Sequence, residues 1–438
     1  MTTWPSVELI ILNWNARHFL AQSIPDLLAQ NYPHFTITIV DNGSDDDSLA
    51  WLATHYPTIN VIASQHNLGF AGGNNLALQQ LTHPFAILVN PDMNFPPNWL
   101  QEMIRPFLTD DQIGLVGCKL YYAHNGHIQH AGGLIRPPRA VAHHYGVDET
   151  DQQQHNTQQD VDYLIGAALA IRQAVINDIG LLDDNFFLYY EDADFCFRAR
   201  AAGWRVVYTP TATAIHHESP LANKGSDFYL RHMMIGRWRF LLKHYPIDLL
   251  LGQTIPAEQA WLAQQNSASH YAAAWGYATA IHHRGLVTMT PDQEKQLLTG
   301  LLTLWQTVWS AELITNQFNE ALWTTAAVEE RPFTSTIPLL GPLITTFRHW
   351  WLHRAAHPFI QPQHQAQNKF NHLLTHNLAH ISHQLEAQKQ QLTQLERQIK
   401  ASKTETDIDW VGLRAELDQT ATRVNQLAQR LTSQNRPS

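Results

Sequence analysis

The chain has 438 residues, 44% of them hydrophobic and 15% charged, which is enough to bury a sizeable core and, at roughly 150 residues per domain, suggests two or three domains. A formal net charge of -10 works against general nucleic-acid binding, which needs a broad cationic surface to displace counterions from phosphates. The two cysteines, Cys118 and Cys196, sit singly in apolar segments, so neither a disulfide framework nor a cysteine metal site is expected.

Residues 1–6 run into a strand-like segment without the basic and apolar parts of a signal peptide. No uninterrupted apolar run approaches the roughly 20 residues that cross a bilayer. The expectation is a cytoplasmic protein, or one held peripherally on the cytosolic membrane face.

Val7 to Leu12 reads as a first strand, Leu20 to Gln30 as a helix and Thr36 to Val40 as a second strand. That strand ends in Asp41-Asn42-Gly43-Ser44, whose small and acidic residues make a tight turn and cap the helix that follows. After a third strand, Asn60 to Ile62, comes Asn67-Leu68-Gly69-Phe70-Ala71-Gly72-Gly73-Asn74-Asn75. Its glycines let backbone come close to a ligand, and amides at a helix start can meet a phosphate. The spacing is not that of a dinucleotide-binding G-x-G-x-x-G turn. A plain helix entry with glycine turns is the alternative reading.

Phe85 to Val89 is an apolar run bounded by Pro84 and Pro91, which fits a strand buried on both faces. It delivers Asn90-Pro91-Asp92 to the carboxyl end, where such sheets open their ligand crevices. A helix over 97–108 and a strand over 113–120 follow. The polar stretch His143 to Asp160 reads as a mobile loop on the side of a second substrate. Tyr163 to Ile171 resumes the core, and Gln173 to Ile179 is a short helix stopped by Gly180.

Phe186 to Tyr190 forms an aromatic wall in front of Glu191-Asp192-Ala193-Asp194, which opens a helix ending at Gly203. One acid suffices to cap a helix; three beside an apolar wall make an environment that tunes carboxylate basicity. A strand over 204–208 and the pair Ala214-Ile215 lead to His216-His217, candidate metal ligands at a strand end.

Laid out in this order, the motifs Asn13-Trp14-Asn15, Val40-Asp41-Asn42-Gly43-Ser44, Asn67-Leu68-Gly69-Phe70, Asn90-Pro91-Asp92 and Tyr190-Glu191-Asp192-Ala193-Asp194 make the chain as far as Tyr245 resemble a family 2 glycosyltransferase of the rhamnosyltransferase-like branch. The resemblance implies an α/β fold of GT-A type and a divalent cation, Mg²⁺ or Mn²⁺, on the diphosphate of a nucleotide-sugar donor, a UDP- or dTDP-sugar. It assigns Asn13, Asp41, Asn67, Gly69, Asn74 and Asn90 to donor binding, with Asp41 on the uracil or thymine ring. Asp92 matches the last acid of a D-x-D motif whose first acid is Asn90 here, so His216 or His217 is expected as a further ligand. Asp192 matches the general base, with Glu191 and Asp194 as supports. A single base opposite the diphosphate implies inversion at the anomeric carbon. The sugar could be a deoxyhexose such as rhamnose and the acceptor a growing cell-surface glycan or a lipid-linked glycan. A non-catalytic nucleotide-sugar scaffold and a nucleotidyltransferase are the competing readings; the complete acidic helix start disfavours the first, and the lack of a Gly-rich loop with a lysine after the first strand the second.

These readings divide the chain into a transferase domain over 1–250, a helical region over 251–330, a Pro-containing linker or amphipathic segment over 331–366 and a coiled coil over 367–438. Phe228 to Tyr245 mixes Arg231, Arg237, Arg239 and Lys243 with aromatic residues, a helix for a membrane surface or one packed on the core. Leu378, Ile381, Leu385, Leu392, Leu395 and Ile399 alternate by four and three, and the register returns at Leu413, Leu417, Val424, Leu427 and Leu431. This coiled-coil pattern serves a homo-oligomer or an intramolecular helix pair.

Overall fold

The computed structural model describes residues 4–218, 225–265 and 267–308, all within one compact unit, Met1–Ile314. The coiled-coil expectation over 367–438 and the segment 331–366 lie outside the described residues.

In chain order the first half comprises β1 (Val7–Asn13), α1 (Arg17–Leu28), β2 (Phe35–Asp41), α2 (Ser48–His55), β3 (Asn60–Ala63), α3 (Gly69–Leu78), β4 (Phe85–Val89), β5 (Met93–Asn94), α4 (Trp99–Thr109) and β6 (Ile113–Tyr122). Next come β7 (Ile128–His130), β8 (Gly133–Arg136), β9 (Val141–His144), β10 (Gln159–Asp160), β11 (Ala168–Arg172), α5 (Gln173–Ile179), α6 (Glu191–Ala201) and β12 (Arg205–His216). The helices α7 (Asp227–His244), α8 (Ile247–Leu249), α9 (Ile255–Leu262), α10 (Ser267–His283) and α11 (Pro291–Val308) complete the described part.

The main sheet runs β10-β12-β6-β11-β4-β1-β2-β3. The strands β4, β1, β2 and β3 are mutually parallel, as the apolar β-α-β-α-β pattern predicts. Antiparallel β11 is inserted between β4 and β6. Every residue of β4 is buried. Phe85, Ile87 and Val89 share one face with Val7, Leu9 and Ile11 and pack against Leu20 and Ile24 of α1 and Trp99, Met103 and Phe107 of α4. Each such side chain contributes about 1.5 to 3 kcal/mol by leaving water, and together they fix the carboxyl edge on which the polar turns sit.

Two expectations are corrected, and one open choice is decided. The strands expected at 204–208 and 214–215 are one long strand, β12, with a register shift between Thr209 and Thr213 opposite β6. The stretch His143 to Asp160 is not a free loop: it supplies the end of β9 and all of β10. Its middle is pinned by buried Lys119, whose ammonium reaches Asp151 at 3.0 Å and Asn156 at 2.6 Å. A buried cation needs such partners, and polarity here satisfies it.

The open choice concerns the basic helix, read either as a membrane-surface helix or as one packed on the core. In α7, Arg231, Arg237 and Arg239 are buried. Arg237 makes paired bonds to Glu258 of α9 at 2.7 and 2.9 Å, and Arg239 and Lys243 bond Asp183 at 2.9 and 2.8 Å. Its arginines therefore serve the protein interior rather than a lipid surface. Among the described residues, no helix is long and apolar enough to cross a membrane.

Candidate active site

The ends of β1 and β2 place Asn13 and Asp41 side by side in parallel register. Asn13 Nδ2 donates to Asp41 Oδ1 at 2.8 Å and to Ser44 Oγ at 3.1 Å, and the Ser44 amide donates to Asp41 Oδ2 at 3.1 Å. Next to them, Asn42 bolts the glycine loop in place: its Nδ2 donates to Asn67 Oδ1 at 2.9 Å and to the Gly69 carbonyl at 3.1 Å, while its Oδ1 accepts from the Leu68 amide at 2.8 Å. Gly69 has φ of +73°, and the Phe187 carbonyl lies where its Cβ would be, so only glycine fits. The helix begins at Gly69 itself rather than after the glycine run. Asn74 is therefore inside α3, buried, with Nδ2 on the Phe70 carbonyl at 2.9 Å.

A second group forms where β4 meets β12. Pairing of Met93 with His216 across β5 and β12 sets the His216 ring against the turn after β4, with Nε2 at 3.2 Å from Asp92 Oδ1. Its Nδ1 meets Gln129 Oε1 at 2.9 Å. Gln129 Nε2 is committed to Glu218 at 2.8 Å, so Oε1 is the end facing the ring, and His216 Nδ1 must donate. In that tautomer Nε2 directs a lone pair at a carboxylate, and a proton or a metal cation between them relieves the clash of two acceptors. His217 is placed differently. Its amide donates to the Asp92 carbonyl at 2.9 Å, but its Nε2 meets Asn94 Oδ1 at 2.6 Å, so of the two histidines only His216 brings its ring to the Asp92 carboxylate.

Among the described residues, no group of three or more His, Cys, Asp and Glu side chains is arranged to hold a metal ion. Asp92 and His216, one carboxylate oxygen and one imidazole nitrogen oriented by a further hydrogen bond, are nevertheless donors of the kind that would suit Mg²⁺ or Mn²⁺.

The third group is the start of α6. Asn90 donates its amide to Ala167 at 2.9 Å, and the adjacent Gly166 amide donates to Asp192 Oδ2 at 2.9 Å, which seats Asp192 beside the Asn90-Pro91-Asp92 turn. The Ala193 amide donates to Asp192 Oδ1 at 2.7 Å. Burial raises the Asp192 carboxyl above the ordinary aspartate range, against those amides. Glu191 is pushed well above its range, by burial and then by the charges of Asp192 and Asp194. Its Oε2 has no partner, so when the pair carries one negative charge it belongs on Asp192, where two amides stabilise it.

Asp194 is different again: Arg198, Lys243 and His244 meet its carboxylate at 2.8, 2.6 and 2.9 Å. Burial alone would raise its pKa, but the His244 hydrogen bond and the charges of Arg198 and Lys243 hold it below the ordinary range. Expected beside Asp192 as a supporting acid, Asp194 is instead taken up by these cations and fastens α6 to α7. Ahead of the helix, Tyr189 and Tyr190 both have positive φ, 68° and 70°, a conformation costing roughly 1–3 kcal/mol per residue that persists where surroundings enforce it. The Tyr190 hydroxyl bond to the Ala140 carbonyl at 2.8 Å is one such restraint.

Nothing in the local sequence marks Gln129 or Asn94, which orient His216 and His217, and the small run Gly166-Ala167-Ala168 signals close backbone approach without showing that the Gly166 amide holds Asp192. Each acts through a contact with a residue distant in the chain, and no spacing rule reaches that far.

The family profile described as "Glycosyltransferase like family 2" matches residues 5–239, more than half the chain. Similar proteins include the O-antigen biosynthesis protein RfbC of Myxococcus xanthus, 26% identical over 62% of this chain and 24% of its own length. An uncharacterized protein, y4gI, of Sinorhizobium fredii is 29% identical over 51% of this chain and 25% of its own. The N-acetylglucosaminyl-diphospho-decaprenol L-rhamnosyltransferase of Mycobacterium tuberculosis is 23% identical over 48% of this chain and 78% of its own. The chain thus spans about a quarter of the length of the first two. Among solved structures, GalNAc-T7 with UDP, GalNAc and Mn²⁺ is similar at 12% identity with a TM-score of 0.47, covering 61% of this chain and 53% of that one. With its motifs in order along one sheet edge and the profile matching across them, the chain belongs to glycosyltransferase family 2.

Proposed function

We propose that the protein transfers a sugar from a nucleotide-sugar donor, a UDP- or dTDP-sugar, to a hydroxyl of a growing cell-surface glycan or lipid-linked acceptor, with inversion and with the help of Mg²⁺ or Mn²⁺. The observation that carries this reading is the seating of Asp192, through the Gly166-Ala167 backbone, against the turn that presents Asp92 to His216. A base and a cation-ready pair on one sheet edge are what displacement of a diphosphate by a hydroxyl requires.

In this reading the acceptor oxygen forms a bond to the anomeric carbon as the bond from that carbon to the diphosphate oxygen breaks. Asp192 takes the hydroxyl proton, and the electron pair of the breaking bond leaves on the diphosphate. One displacement from the side opposite the leaving group inverts the anomeric centre. Asp41 and Asn13 hold the base of the donor, and Asn67, Gly69 and Asn90 line the donor pocket. Asp92 and His216 would hold the cation, which when bound offsets charge on the diphosphate. A deoxyhexose such as rhamnose as the sugar, and a position at the cytosolic membrane face, belong to the same proposal; the rhamnosyltransferase named among the similar proteins supports the former.

The test is a thermal-stability screen of the purified protein against UDP-, GDP- and dTDP-sugars with and without Mn²⁺, since a ligand that binds only the folded state raises its stability. Stabilisation by a uridine or thymidine donor that is stronger with Mn²⁺ is expected. No response to any nucleotide sugar would reject the reading.

A further inference from the structure

Gln129 and His130 are neighbours on β7, so their side chains point to opposite faces: Gln129 toward His216, and His130 into a second cluster that the donor and cation residues leave unused. His130 Nδ1 meets His144 Nδ1 of β9 at 2.8 Å. The Tyr163 ring lies against both imidazoles, at centroid distances of 5.9 Å and 5.7 Å. Gly133 holds it there: its amide donates to the Tyr163 carbonyl at 3.1 Å, and the ring fills the space a side chain at Gly133 would need.

The cluster borders the base. Burial first, then the negative charge of Asp192, pushes the Tyr163 phenol well above its ordinary range, and the Gly166 amide that holds Asp192 lies just beyond Tyr163 in the chain. In this neighbourhood three buried polar atoms lack a hydrogen-bond partner among the described residues: His130 Nε2, the Tyr163 hydroxyl and Glu191 Oε2. Buried polar groups are normally paired, because an unmet donor or acceptor costs free energy, so three together mark where the polar groups of a ligand belong.

Their chemistry selects the ligand. Whichever δ-nitrogen carries the proton shared by His130 and His144, His130 Nε2 is left as a single donor or a single acceptor, and a hydroxyl satisfies either. The phenol and a protonated Glu191 are equally ambivalent. Burial, then His144, holds the His130 imidazole in its neutral form, so it offers an anion no charge, and ionised Asp192 repels one.

We infer that Tyr163 and His130, with Glu191, form the acceptor subsite, and that it takes a neutral, hydroxyl-rich sugar ring with one hydroxyl turned to Asp192. This rests on the glycosyl-transfer reading above; Tyr163 and His130 position the acceptor and do not exchange its proton.

The experiment measures release of nucleoside diphosphate by the full chain, using the nucleotide sugar that stabilises it most. The neutral probes are the methyl glycosides of glucose, N-acetylglucosamine and rhamnose, and methyl glucuronide is the anionic one. At least one neutral glycoside should accelerate release above the rate with water, and the glucuronide should be the poorer acceptor. Tyr163→Phe should raise the acceptor KM about 3- to 10-fold, the effect of one neutral hydrogen bond, and His130→Gln should act in the same direction. Tyr163→Phe should melt at or above the wild-type temperature, because the buried hydroxyl it removes has no hydrogen-bond partner among the described residues. The assignment is overturned when no neutral glycoside accelerates release, when the glucuronide is preferred, or when both variants keep the wild-type acceptor KM. A chain that neither binds nor hydrolyses any nucleotide sugar removes the glycosyl-transfer reading itself, a result distinct from an active enzyme with an unchanged acceptor KM.

Discussion

His216 Nε2 lies 3.2 Å from Asp92 Oδ1 while its other ring nitrogen is held by Gln129 at 2.9 Å. The second contact decides what the first can do, because a ring that donates through Nδ1 keeps the lone pair on Nε2, the atom a metal would bind.

Removal of divalent cations with a chelator should therefore abolish transfer, and Mg²⁺ or Mn²⁺ should restore it. His216→Ala should weaken Mn²⁺ binding in the presence of nucleoside diphosphate by about 10- to 100-fold, and Gln129→Leu, which removes the orienting contact, by a similar factor. His217→Ala should leave it within a few-fold of wild type. Titration calorimetry checks all three; full activity in excess chelator, or equal losses at His216 and His217, would contradict the assignment.

Asp192→Asn should lower transfer by about 10² to 10⁴-fold, the range for a lost general base, while donor binding persists. Since burial raises the Asp192 carboxyl, the acidic limb of the rate against pH should lie above the roughly 3.9 of a free aspartate, with activity falling as pH drops through that raised value. An ionised carboxyl with a raised folded pKa weakens the fold at neutral pH, so Asp192→Asn should melt at or above the wild-type temperature. Glu191→Gln resolves the neighbour: if that variant, and not Asp192→Asn, loses the pH limb, the base has been misassigned.

Asp194→Asn and Glu258→Gln should act on stability instead. Each leaves buried cations without their counter-charge, a loss of about 3–5 kcal/mol when one partner of a buried pair is removed. Asp194 has a lowered folded pKa, so its contribution is present above the unfolded value of about 4 and disappears as pH falls through the folded value. Denaturant melts should thus separate wild type from Asp194→Asn at pH 7 and bring them together under strong acid. A fragment ending at residue 250 lacks Glu258, the partner of Arg237, and should be far less stable than one ending at residue 308. Equal stability of the two fragments would show that Arg237 does not depend on α9.

The sequence by itself determined the chain order of β1 to β4 and the polar turns at their carboxyl ends. Burial on both faces writes an apolar run into β4, and the change to Asn90-Pro91-Asp92 marks where the run meets solvent, so both features are local. The polar turns that carry Asn13, Asp41, Asn67 and Gly69 were legible for the same reason.

Tertiary structure decided between neighbours. His216 and His217 are equivalent in sequence, but adjacent residues on a strand face opposite ways, and pairing of His216 with Met93 chose which ring meets Asp92. Asp192 and Asp194 are two helix positions apart, about 200° around the axis, so one faces Gly166 and the other the cations of α6 and α7. The arginines of α7 fit a membrane surface or a packed core equally well in the sequence, and Glu258 and Asp183, brought in from other segments, made their burial possible. A chain segment records its own periodicity; it holds no record of which distant carboxylate will be folded against it.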